Sequence, residues 1–498
     1  MITDLFDLTA KRALLSPHQP AMAEVATGRA VTYAELDDRA ARAARLLADH
    51  GVEAGDRVAV LCRNRIAFFE LLFACAKRGA ILVPLNWRMP AEELRPLVTD
   101  ATPRLLFHGT EDATVAAQLG LVCVDFDGDY DSRLAAIAAP LQGRDRWPAA
   151  DIWYLLYTSG TTGLPKAVIQ TYGMALANFI NIGQAVGITG RDTTLNFLPL
   201  FHTAGINLHT LPTLIAGGRV LVTPGFDADR TLDLIAAGDL DTLFAVPAVY
   251  QQLSLHPRFG EVDLSRVRHW GCGGAPLPDT LVSLYLARGV RVCNGMGMTE
   301  TGPTLFIMDP ENAPTRIGSV GKPQLLAQVR LVGPDGQDVA PGEAGELWFS
   351  GPGITPGYWR REEATAAAFS DGWLKSGDLG RQDADGYFYI VGRIKDMFIS
   401  GGENVYPAEV ENVLAEHPAV LEAAVIGVPD GRWGEVGRAF ILPRPGHDAP
   451  DADTLAAFCR SRLAAYKVPR QFVTVSDFPR TAAGKIQKHL LKQMDQAA

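Results

Sequence analysis

Residues 157–166 read Tyr157-Thr158-Ser159-Gly160-Thr161-Thr162-Gly163-Leu164-Pro165-Lys166, directly after an apolar run at 152–156. The apolar run is typical of a buried strand, so the ten residues are predicted to leave the end of a sheet as a loop. Glycines let several backbone N–H groups point at one anion, and lysine adds a positive charge. The stretch therefore predicts a polyphosphate cradle, with further donors from the hydroxyls of Thr158, Ser159, Thr161 and Thr162.

The order of residues in this loop differs from the Walker pattern, in which lysine directly follows glycine and precedes Ser or Thr. Here Leu164 and Pro165 separate Gly163 from Lys166, and Ala167 follows the lysine. The order therefore disfavours a P-loop kinase or ATPase. A flexible turn is the alternative for such a loop taken alone, and the rest of the chain decides between the two.

Composition indicates an ordinary globular protein of more than one domain, with 498 residues, 47% hydrophobic and 20% charged. A net charge of −10 argues against a general nucleic-acid surface. The six cysteines have no metal-binding spacing, which predicts buried thiols in a reducing compartment. No membrane span and no signal peptide are evident, so we predict a cytoplasmic protein.

Strand-like and helix-like segments alternate over residues 30–300, and short strands separated by Pro/Gly/Asp turns follow from about 325. A further stretch from 396 combines helices and strands. We predict an α/β protein with a large N-terminal domain of helix-covered mixed sheets and a small β-rich subdomain, followed by a small α+β C-terminal domain. Thr32 and Glu35 form a capping-box pattern that begins a helix.

Further charged residues fit the chemistry of a bound nucleotide. Glu300, in the run 296–301, is a candidate ligand for the Mg²⁺ that accompanies a nucleotide. Asp378 lies in a tight turn and suits a ribose diol, whereas an ordinary Asx-turn is the alternative. Arg393 lies where the pattern of predicted helices and strands changes. Lys485 follows a predicted turn of small residues near the C-terminus.

These five segments, at 157–166, 296–301, 376–379, 392–396 and 479–486, resemble in kind and order the acyl-adenylate-forming superfamily. That superfamily includes acyl-CoA synthetases, aryl-CoA ligases, luciferases and peptide-synthetase adenylation domains. The resemblance spans essentially the whole chain, and the run at 395–411 is most similar to CoA ligases. It implies an ATP-dependent acid–CoA ligase: Mg-ATP and a carboxylic acid give acyl-AMP and pyrophosphate, and the thiol of CoA then displaces AMP.

The resemblance also implies a role for each matching residue. The loop would hold the β- and γ-phosphates, and Thr299 would touch the α-phosphate. Asp378 would bind the ribose hydroxyls, with Arg393 nearby, and Lys485 would bridge the substrate carboxylate and the α-phosphate. Catalytic candidates are Lys485, His202, Thr299 and Glu300, and metal candidates are Glu300 and Thr161. The implied ATP/AMP site comprises Thr158, Ser159, Gly160, Thr161, Thr162, Gly163, Lys166, Gly274, Ala275, Pro276, Gly295, Met296, Gly297, Asp378 and Arg393.

The second half-reaction is implied to depend on rotation of the C-terminal domain. The implied boundaries are 1–394 for the adenylation domain, a hinge at Lys395, and 396–498 for a mobile C-terminal domain that carries the catalytic lysine. Rotation would withdraw Lys485 and bring up the channel for the pantetheine arm of CoA. The implied channel residues are Ser400, Gly401, Gly402, Trp433 and Tyr466, with Lys467 and Arg470 as candidates for the phosphorylated adenosine.

The acid itself is indicated only by class. The implied acyl pocket comprises Phe201, His202, Val246, Trp270, Gly271, Cys272 and Gly302, and none of these carries a fixed charge. We therefore predict a neutral-tailed acid, which is aryl, arylpropenoic or medium-chain fatty. His202 is interpreted as a gate or hydrogen-bond donor rather than a general base. Met296 departs from the family, which usually has an aromatic residue beside adenine.

Other functions stay open at this point. An amide synthetase would trap the acyl-adenylate with an amine, and a carrier-protein loading enzyme would use a protein-bound thiol. A non-enzymatic nucleotide-binding module would need neither Lys485 nor the hinge. We expect small-molecule partners only, no nucleic acid, and a monomer or homodimer.

Overall fold

The computed structural model describes residues 2–141, 143–158, 165–481 and 485–496. Its first region, up to residue 171, contributes strands to three sheets, with helices packed against them. The strands are β1 (Asp4–Phe6), β2 (Pro20–Glu24), β3 (Ala30–Thr32), β4 (Arg57–Leu61), β5 (Ile81–Pro84), β6 (Leu105–His108), β7 (Cys123–Asp125), β8 (Arg146–Pro148), β9 (Ile152–Thr158) and β10 (Lys166–Thr171). The helices are α1 (Leu8–Leu15), α2 (Tyr33–Asp49), α3 (Ile66–Arg78), α4 (Ala91–Ala101), α5 (Ala113–Gln118) and α6 (Tyr130–Ala136).

A six-stranded mixed sheet in the order β10-β9-β5-β4-β6-β7 forms the centre of this region. Successive residues of its strands point to opposite faces, so that Val58 and Val60 pack with α2 and α3, whereas Ala59 and Leu61 pack with α4 and α5. Helix α2 begins at the predicted capping box: the Glu35 carboxylate accepts from the Thr32 N–H at 2.7 Å, and the Thr32 hydroxyl accepts from the Glu35 N–H at 3.2 Å.

The second region, residues 172–307, supplies a series of parallel strands. Its helices are α7 (Tyr172–Val186), α8 (Thr210–Ala216), α9 (Ala228–Ala237), α10 (Pro247–Leu255) and α11 (Asp279–Leu286), and a π-helical turn at Ala204–Leu208 precedes α8. Its strands are β11 (Thr193–Asn196), β12 (Arg219–Val222), β13 (Thr242–Ala245), β14 (His269–Cys272), β15 (Val292–Met296) and β16 (Phe306–Ile307).

The third region, residues 319–393, is rich in strands, as predicted. It contains β17 (Ser319–Pro323), β18 (Gln328–Val332), β19 (Gly345–Ser350), α12 (Glu362–Ala368), β20 (Phe369–Ser370), β21 (Trp373–Gln382) and β22 (Phe388–Arg393). These strands have a core of their own, but they continue the parallel strands in one 14-stranded sheet. The reason is that β16 pairs antiparallel with both β15 and β17 and so joins the two sets.

The last region forms a separate five-stranded sheet with its own hydrophobic core. Its elements are β23 (Phe398–Ser400), β24 (Glu403–Val405), α13 (Pro407–Ala415), β25 (Val420–Asp430), β26 (Gly434–Pro443), α14 (Ala452–Arg460), β27 (Gln471–Thr474) and α15 (Lys488–Gln496). The α/β fold class predicted from the sequence, with mixed sheets in a large N-terminal domain and a C-terminal α+β domain, is confirmed.

Two predictions from composition can be compared with the described residues. All six cysteines are unpaired, and five of them are buried. Among the described residues, no helix is both long enough and apolar enough to cross a membrane. Strand β15 runs on to Met296, and its last two residues, Gly295 and Met296, pair with β16.

Candidate active site

The phosphate-loop candidate connects two antiparallel strands. Thr158 ends β9 and faces Lys166, which begins β10, so the pair forms the base of a hairpin. Ser159, Gly160, Thr161, Thr162 and Gly163 lie outside the described residues. The ammonium of Lys166 lies 5.2 Å from the ring centroid of Tyr358. The lysine is therefore held at the base of the hairpin, on the side where Tyr358 lies.

Tyr358 links this lysine to the acidic candidate, and sequence reasoning missed it. Its hydroxyl donates to Oε1 of Glu300 at 3.0 Å. Burial and the charge of Glu300 raise the pKa of Tyr358, so the phenol stays a donor. Its segment runs beside β10, with the Trp359 N–H donating to the Ala167 carbonyl at 2.8 Å. The Tyr358 side chain therefore contacts both Lys166, at the base of the hairpin, and the Glu300 carboxylate.

Glu300 lies in a 3₁₀ turn, Thr299–Thr301, shortly after β15. The turn is fixed from two sides, because Gln170 donates to the Thr299 carbonyl and the Thr355 N–H donates to the Glu300 carbonyl, both at 2.8 Å. Burial raises the pKa of the Glu300 carboxyl, and the Tyr358 hydrogen bond and the charge of Lys485 oppose that shift. A single buried carboxylate at this point needs a cation to stay ionised without cost.

That carboxylate fits a Mg²⁺ ion that arrives with a nucleotide. Mg²⁺ in such sites takes one or two carboxylates together with substrate phosphates rather than an all-protein cage. Among the residues that the structure describes, no group of three or more His, Cys, Asp or Glu side chains could hold a metal by itself. Glu300 would hold the ion; Thr161, the other candidate, lies outside the described residues.

The ribose candidates are partners across two strands. Asp378 on β21 faces Arg393 on β22, and the guanidinium Nε donates to Oδ1 at 3.0 Å. Burial raises the pKa of Asp378, whereas the charges of Arg393 and Lys485 lower it. In the described part of the chain, the other carboxylate oxygen of Asp378 has no hydrogen-bond partner, which suits it to accept from a diol.

Lys485 reaches this group from the C-terminal region. Its N–H donates to the Thr481 hydroxyl at 3.1 Å. Burial and the charge of Arg393 lower the pKa of Lys485 to about 8, and the carboxylates of Asp378 and Glu300 oppose that shift. The structure therefore brings together Lys485, Glu300, Asp378 and Arg393, which are separated in sequence by up to 185 residues (485 − 300).

His202 lies beside the same lysine in a neutral form. Burial, with the charges of Lys485 and Arg88, lowers the pKa of His202 to about 4. Its Nε2 is buried and has no hydrogen-bond partner among the described residues. The neighbouring Phe201 packs edge-on against Trp87. An imidazole with such a pKa is a weak base, so this geometry favours the gate or hydrogen-bond role over general-base catalysis.

The adenine candidates are shaped by close backbone contacts. A Cβ at Gly297 would lie 1.5 Å from the Pro303 carbonyl oxygen, and one at Gly295 would lie 2.8 Å from that of Phe306. Gly274 has φ of +84°. Packing therefore requires glycine at 297 and 295, and the left-handed backbone favours it at 274. Met296 packs against the core of the strand-rich region, while Gly274, Ala275 and Pro276 follow directly after β14 and its next residue, Gly273.

The acyl-pocket candidates do not all lie together. Trp270 and Cys272 point to the face of β14 that packs on α10 and α11, where the Trp270 indole N–H donates to the Leu264 carbonyl at 3.3 Å. Gly271, between them, faces the opposite side, as alternation along a strand requires. We therefore remove Trp270 and Cys272 from the candidate pocket lining.

On the Gly271 side the structure adds residues that sequence reasoning missed. A Cβ at Gly271 would lie 2.7 Å from Cδ2 of Phe244. Phe244 is partly exposed although it lies in the middle of the long sheet. Ala204 and Ile307 are also partly exposed, and they pack against the same hydrophobic cluster as Phe244. Of the other candidates, Val246 lies beside Gly274, and the Gly302 carbonyl accepts from Asn207 at 3.0 Å.

The CoA-channel candidates fall into two places in the C-terminal domain. Trp433 packs against Gly401, whose N–H donates to the Trp433 carbonyl at 2.8 Å. Ser400 is buried beside them, Gly402 is exposed, and the guanidinium of Arg470 lies 5.3 Å from the Trp433 ring. Tyr466 instead packs on the domain core, and Lys467 pairs with Glu409 at 2.7 Å.

Comparisons with known proteins place this arrangement in a family. A model of the AMP-binding enzyme family matches residues 10–359, and one of its C-terminal domain matches residues 409–485. The chain belongs to the AMP-binding enzyme family. It is thus a member of the acyl-adenylate-forming superfamily, as the five segments indicated.

Similar proteins of this family are named as CoA ligases. The chain is 43% identical over 485 residues to a feruloyl-CoA synthase from Amycolatopsis sp., covering 96% of both. It is 38% identical over 483 residues to an indoleacetate–CoA ligase from Aromatoleum aromaticum, covering 94% of this chain and 93% of that one. The solved structure of o-succinylbenzoate CoA synthetase from Bacillus subtilis with its acyl-adenylate intermediate matches with a TM-score of 0.90, 33% identity and 99% coverage of each chain. The predicted enzyme class, an AMP-forming acid–CoA ligase that uses ATP and CoA, is confirmed.

The position of Lys485 predicts the pH dependence of adenylation. Its pKa of about 8 means that the ammonium is present at neutral pH and is lost as the pH rises through that value. We expect kcat/KM for pyrophosphate release, which reports the free enzyme, to fall above about pH 8. In Lys485→Arg the remaining activity should show no such decline up to about pH 10, because guanidinium stays charged. A decline at the same pH in both proteins would contradict this assignment.

Proposed function

We propose that this family member activates an arylpropenoic acid, or a related aryl acid, as its CoA thioester, and that the residues gathered around Lys485 perform the first half-reaction. The observation that carries the proposal is that Lys485 lies among Glu300, Asp378 and Arg393. The acid carboxylate attacks the α-phosphorus of ATP and pyrophosphate leaves. Two anions meet in that step, so prepositioned positive charge lowers the barrier.

The individual side chains divide this work between the two ends of ATP. Lys166 and the hairpin hold the terminal phosphates, and Tyr358 fixes the Glu300 carboxylate beside them. When Mg²⁺ is bound it neutralises phosphate charge there. Asp378 orients the ribose, and Lys485 holds the carboxylate and the α-phosphate together. Neutral His202 is suited to donate a hydrogen bond to the reacting carboxylate without removing a proton.

The proposed class of acid rests on the side of β14 that carries Gly271. Phe244, Ala204 and Ile307 line it, and none of them is charged. An aromatic ring packs well against such a wall, and an unpaired buried charge would be costly there. The name of the Amycolatopsis relative, a feruloyl-CoA synthase, supports an arylpropenoic acid over a medium-chain fatty acid.

The second half-reaction, in which CoA displaces AMP, requires a second arrangement of the C-terminal domain. We propose that residues 396–498 rotate about Lys395, which withdraws Lys485 and brings Gly401 and Gly402 to the site. In support, Ile394 and Lys395 lie exposed in the link between β22 and β23. Attack of the thiol on the acyl carbon then releases AMP, and the thiol proton is lost to solvent. Unpaired thiols and the use of ATP and CoA support a cytoplasmic location. A monomer or homodimer stays a prediction.

A substrate panel tests the proposal. The protein is incubated with ATP, Mg²⁺ and either cinnamate, benzoate, indoleacetate or octanoate, with and without CoA, and pyrophosphate, AMP and acyl-CoA are quantified. We expect AMP and acyl-CoA in equal amounts. We also expect kcat/KM for cinnamate to be at least about tenfold above that for octanoate, because a pocket that fits an aromatic ring discriminates against a flexible chain by shape. Formation of ADP would contradict adenylation. Pyrophosphate without a thioester would indicate a different acceptor, such as an amine.

A further inference from the structure

Two histidines lie on the acyl side of the long sheet and have no role in the chemistry above. His209 lies between the π-helical turn and α8, and His269 begins β14. Their rings are 5.9 Å apart, and His209 packs edge-on against Phe244 at 5.7 Å. The two imidazoles therefore form a small polar group beside an otherwise apolar pocket wall.

Both imidazoles are buried. Each residue is only 4% exposed. In the described parts of the chain, both ring nitrogens of His209 are buried without a hydrogen-bond partner, and the His269 ring makes no hydrogen bond. Buried polar groups are nearly always hydrogen-bonded, because an unpaired donor or acceptor forfeits its solvation. His209 is such an exception and His269 lies beside it, which indicates that a ligand supplies the missing partner.

The direction of His269 connects the pair to the acyl pocket. Its Nε2 lies 3.5 Å from the position that a Cβ would take at Gly271. His269, Gly271 and Gly273 alternate along the chain, so they share one face of the sheet. Phe244, which touches both Gly271 and His209, is partly exposed there. The tail of an acid that passes Gly271 would therefore end at the two imidazoles.

The charge state of the pair restricts the ligand further. Burial lowers the pKa of His269 to about 4 and holds that of His209 well below its usual range, with added repulsion from His269 and Arg268 on His209. Arg268 itself pairs with Asp192 at 2.9 Å and donates to the Val186 carbonyl, so its charge is engaged away from the pocket. Each neutral imidazole offers one donor and one acceptor. A ligand group that both donates and accepts, without a charge, is complementary to the pair.

We propose that His209 and His269 recognise a phenolic hydroxyl at the far end of the acid, so that the preferred substrates are ring-hydroxylated arylpropenoic acids. This inference rests on the proposed function and specifies its substrate class. The hydroxyl donates to one imidazole and accepts from the other. A second carboxylate would lack a cation, and an apolar tail would leave both imidazoles unpaired.

The wild-type enzyme alone provides the first test, with 4-hydroxycinnamate and 4-methylcinnamate, whose para groups have nearly the same size. We expect kcat/KM to be at least about 10²-fold higher for the hydroxyl acid, because sites built around a substrate hydroxyl strongly reject analogues that lack it. Equal values for the two acids, or a preference for 4-carboxycinnamate, would overturn the inference.

Variants then assign the effect to the pair. His269→Phe and His209→Phe should each lower kcat/KM for 4-hydroxycinnamate by about 10-fold or more while leaving 4-methylcinnamate unchanged or improved. His447→Phe, in an exposed turn of the C-terminal domain, is the matched control and should keep the wild-type ratio. Equal losses for both acids in both variants would indicate a purely structural role and overturn the inference.

The outcome also separates this inference from the proposed function. If no cinnamate yields AMP and acyl-CoA, the proposed function fails and the inference fails with it. If cinnamates are converted without a preference for the hydroxyl group, the inference alone fails.

Discussion

Replacing Lys485 with alanine should lower the rate of acyl-adenylate formation by roughly 10²–10³-fold and leave thioester formation from supplied acyl-AMP within a few-fold of wild type. The first effect follows because Lys485 is the cation that the C-terminal region contributes among Glu300, Asp378 and Arg393. The second follows because acyl-AMP already carries a good leaving group, so its reaction with a thiol needs no further neutralisation of phosphate charge. Rapid-quench measurement of each half-reaction separates the two.

Lys492→Ala is the matched control for this variant. Lys492 is exposed on α15, close in sequence to Lys485, and its loss changes the net charge by the same amount. Both half-reactions should stay at the wild-type rate in this control. If Lys485→Ala slows thioester formation as strongly as adenylation, then Lys485 acts on the fold of the domain rather than on the reacting groups.

Much of the fold was predictable because its signals are local. Three such signals depend only on neighbouring residues. They are the capping box at Thr32 and Glu35, the apolar strand before the phosphate loop, and the change near 325 from alternating helices and strands to short strands. What the sequence could not indicate was that the strand-rich region continues the parallel sheet. That continuation depends on pairing of β16 with β15 and β17, between segments that no local pattern relates.

The residues of the candidate site likewise fall into those that a local motif indicates and those that only the fold reveals. Glu300, Asp378 and Lys485 were identified because each lies in a motif with a chemical logic of its own. Tyr358 was missed because a lone tyrosine gives no such signal, and its importance depends on a hydrogen bond to Glu300 across 58 positions. His209 and His269 were missed for the same reason. The error at Trp270 and Cys272 was avoidable, since adjacent residues of one strand cannot all face one pocket.

The proposed hinge gives the second large effect. Lys395→Pro should lower thioester formation from supplied acyl-AMP and CoA by about 10²-fold or more while adenylation falls no more than about tenfold, since proline fixes φ near −65° and prevents a large backbone rotation at this residue. Asp396 and Met397 donate to the Arg393 carbonyl and Ile394 to that of Gly377, whereas the Lys395 N–H makes no backbone hydrogen bond within the described chain. Proline therefore removes no such bond from the present arrangement. The tenfold allowance reflects the restriction that it places on Ile394.

Lys395→Ala is the control that isolates the backbone. It removes the same side chain and charge but keeps φ free, so thioester formation should stay within a few-fold of wild type. Measured beside Lys485→Ala, the proline variant should show the opposite pattern of loss. Lys485 acts in the present arrangement of the domains, in which adenylation occurs, whereas Lys395 acts in the rotation to the arrangement that forms the thioester. If Lys395→Pro and Lys485→Ala lose the same half-reaction, a single fixed arrangement performs both steps and rotation about Lys395 is not part of the mechanism.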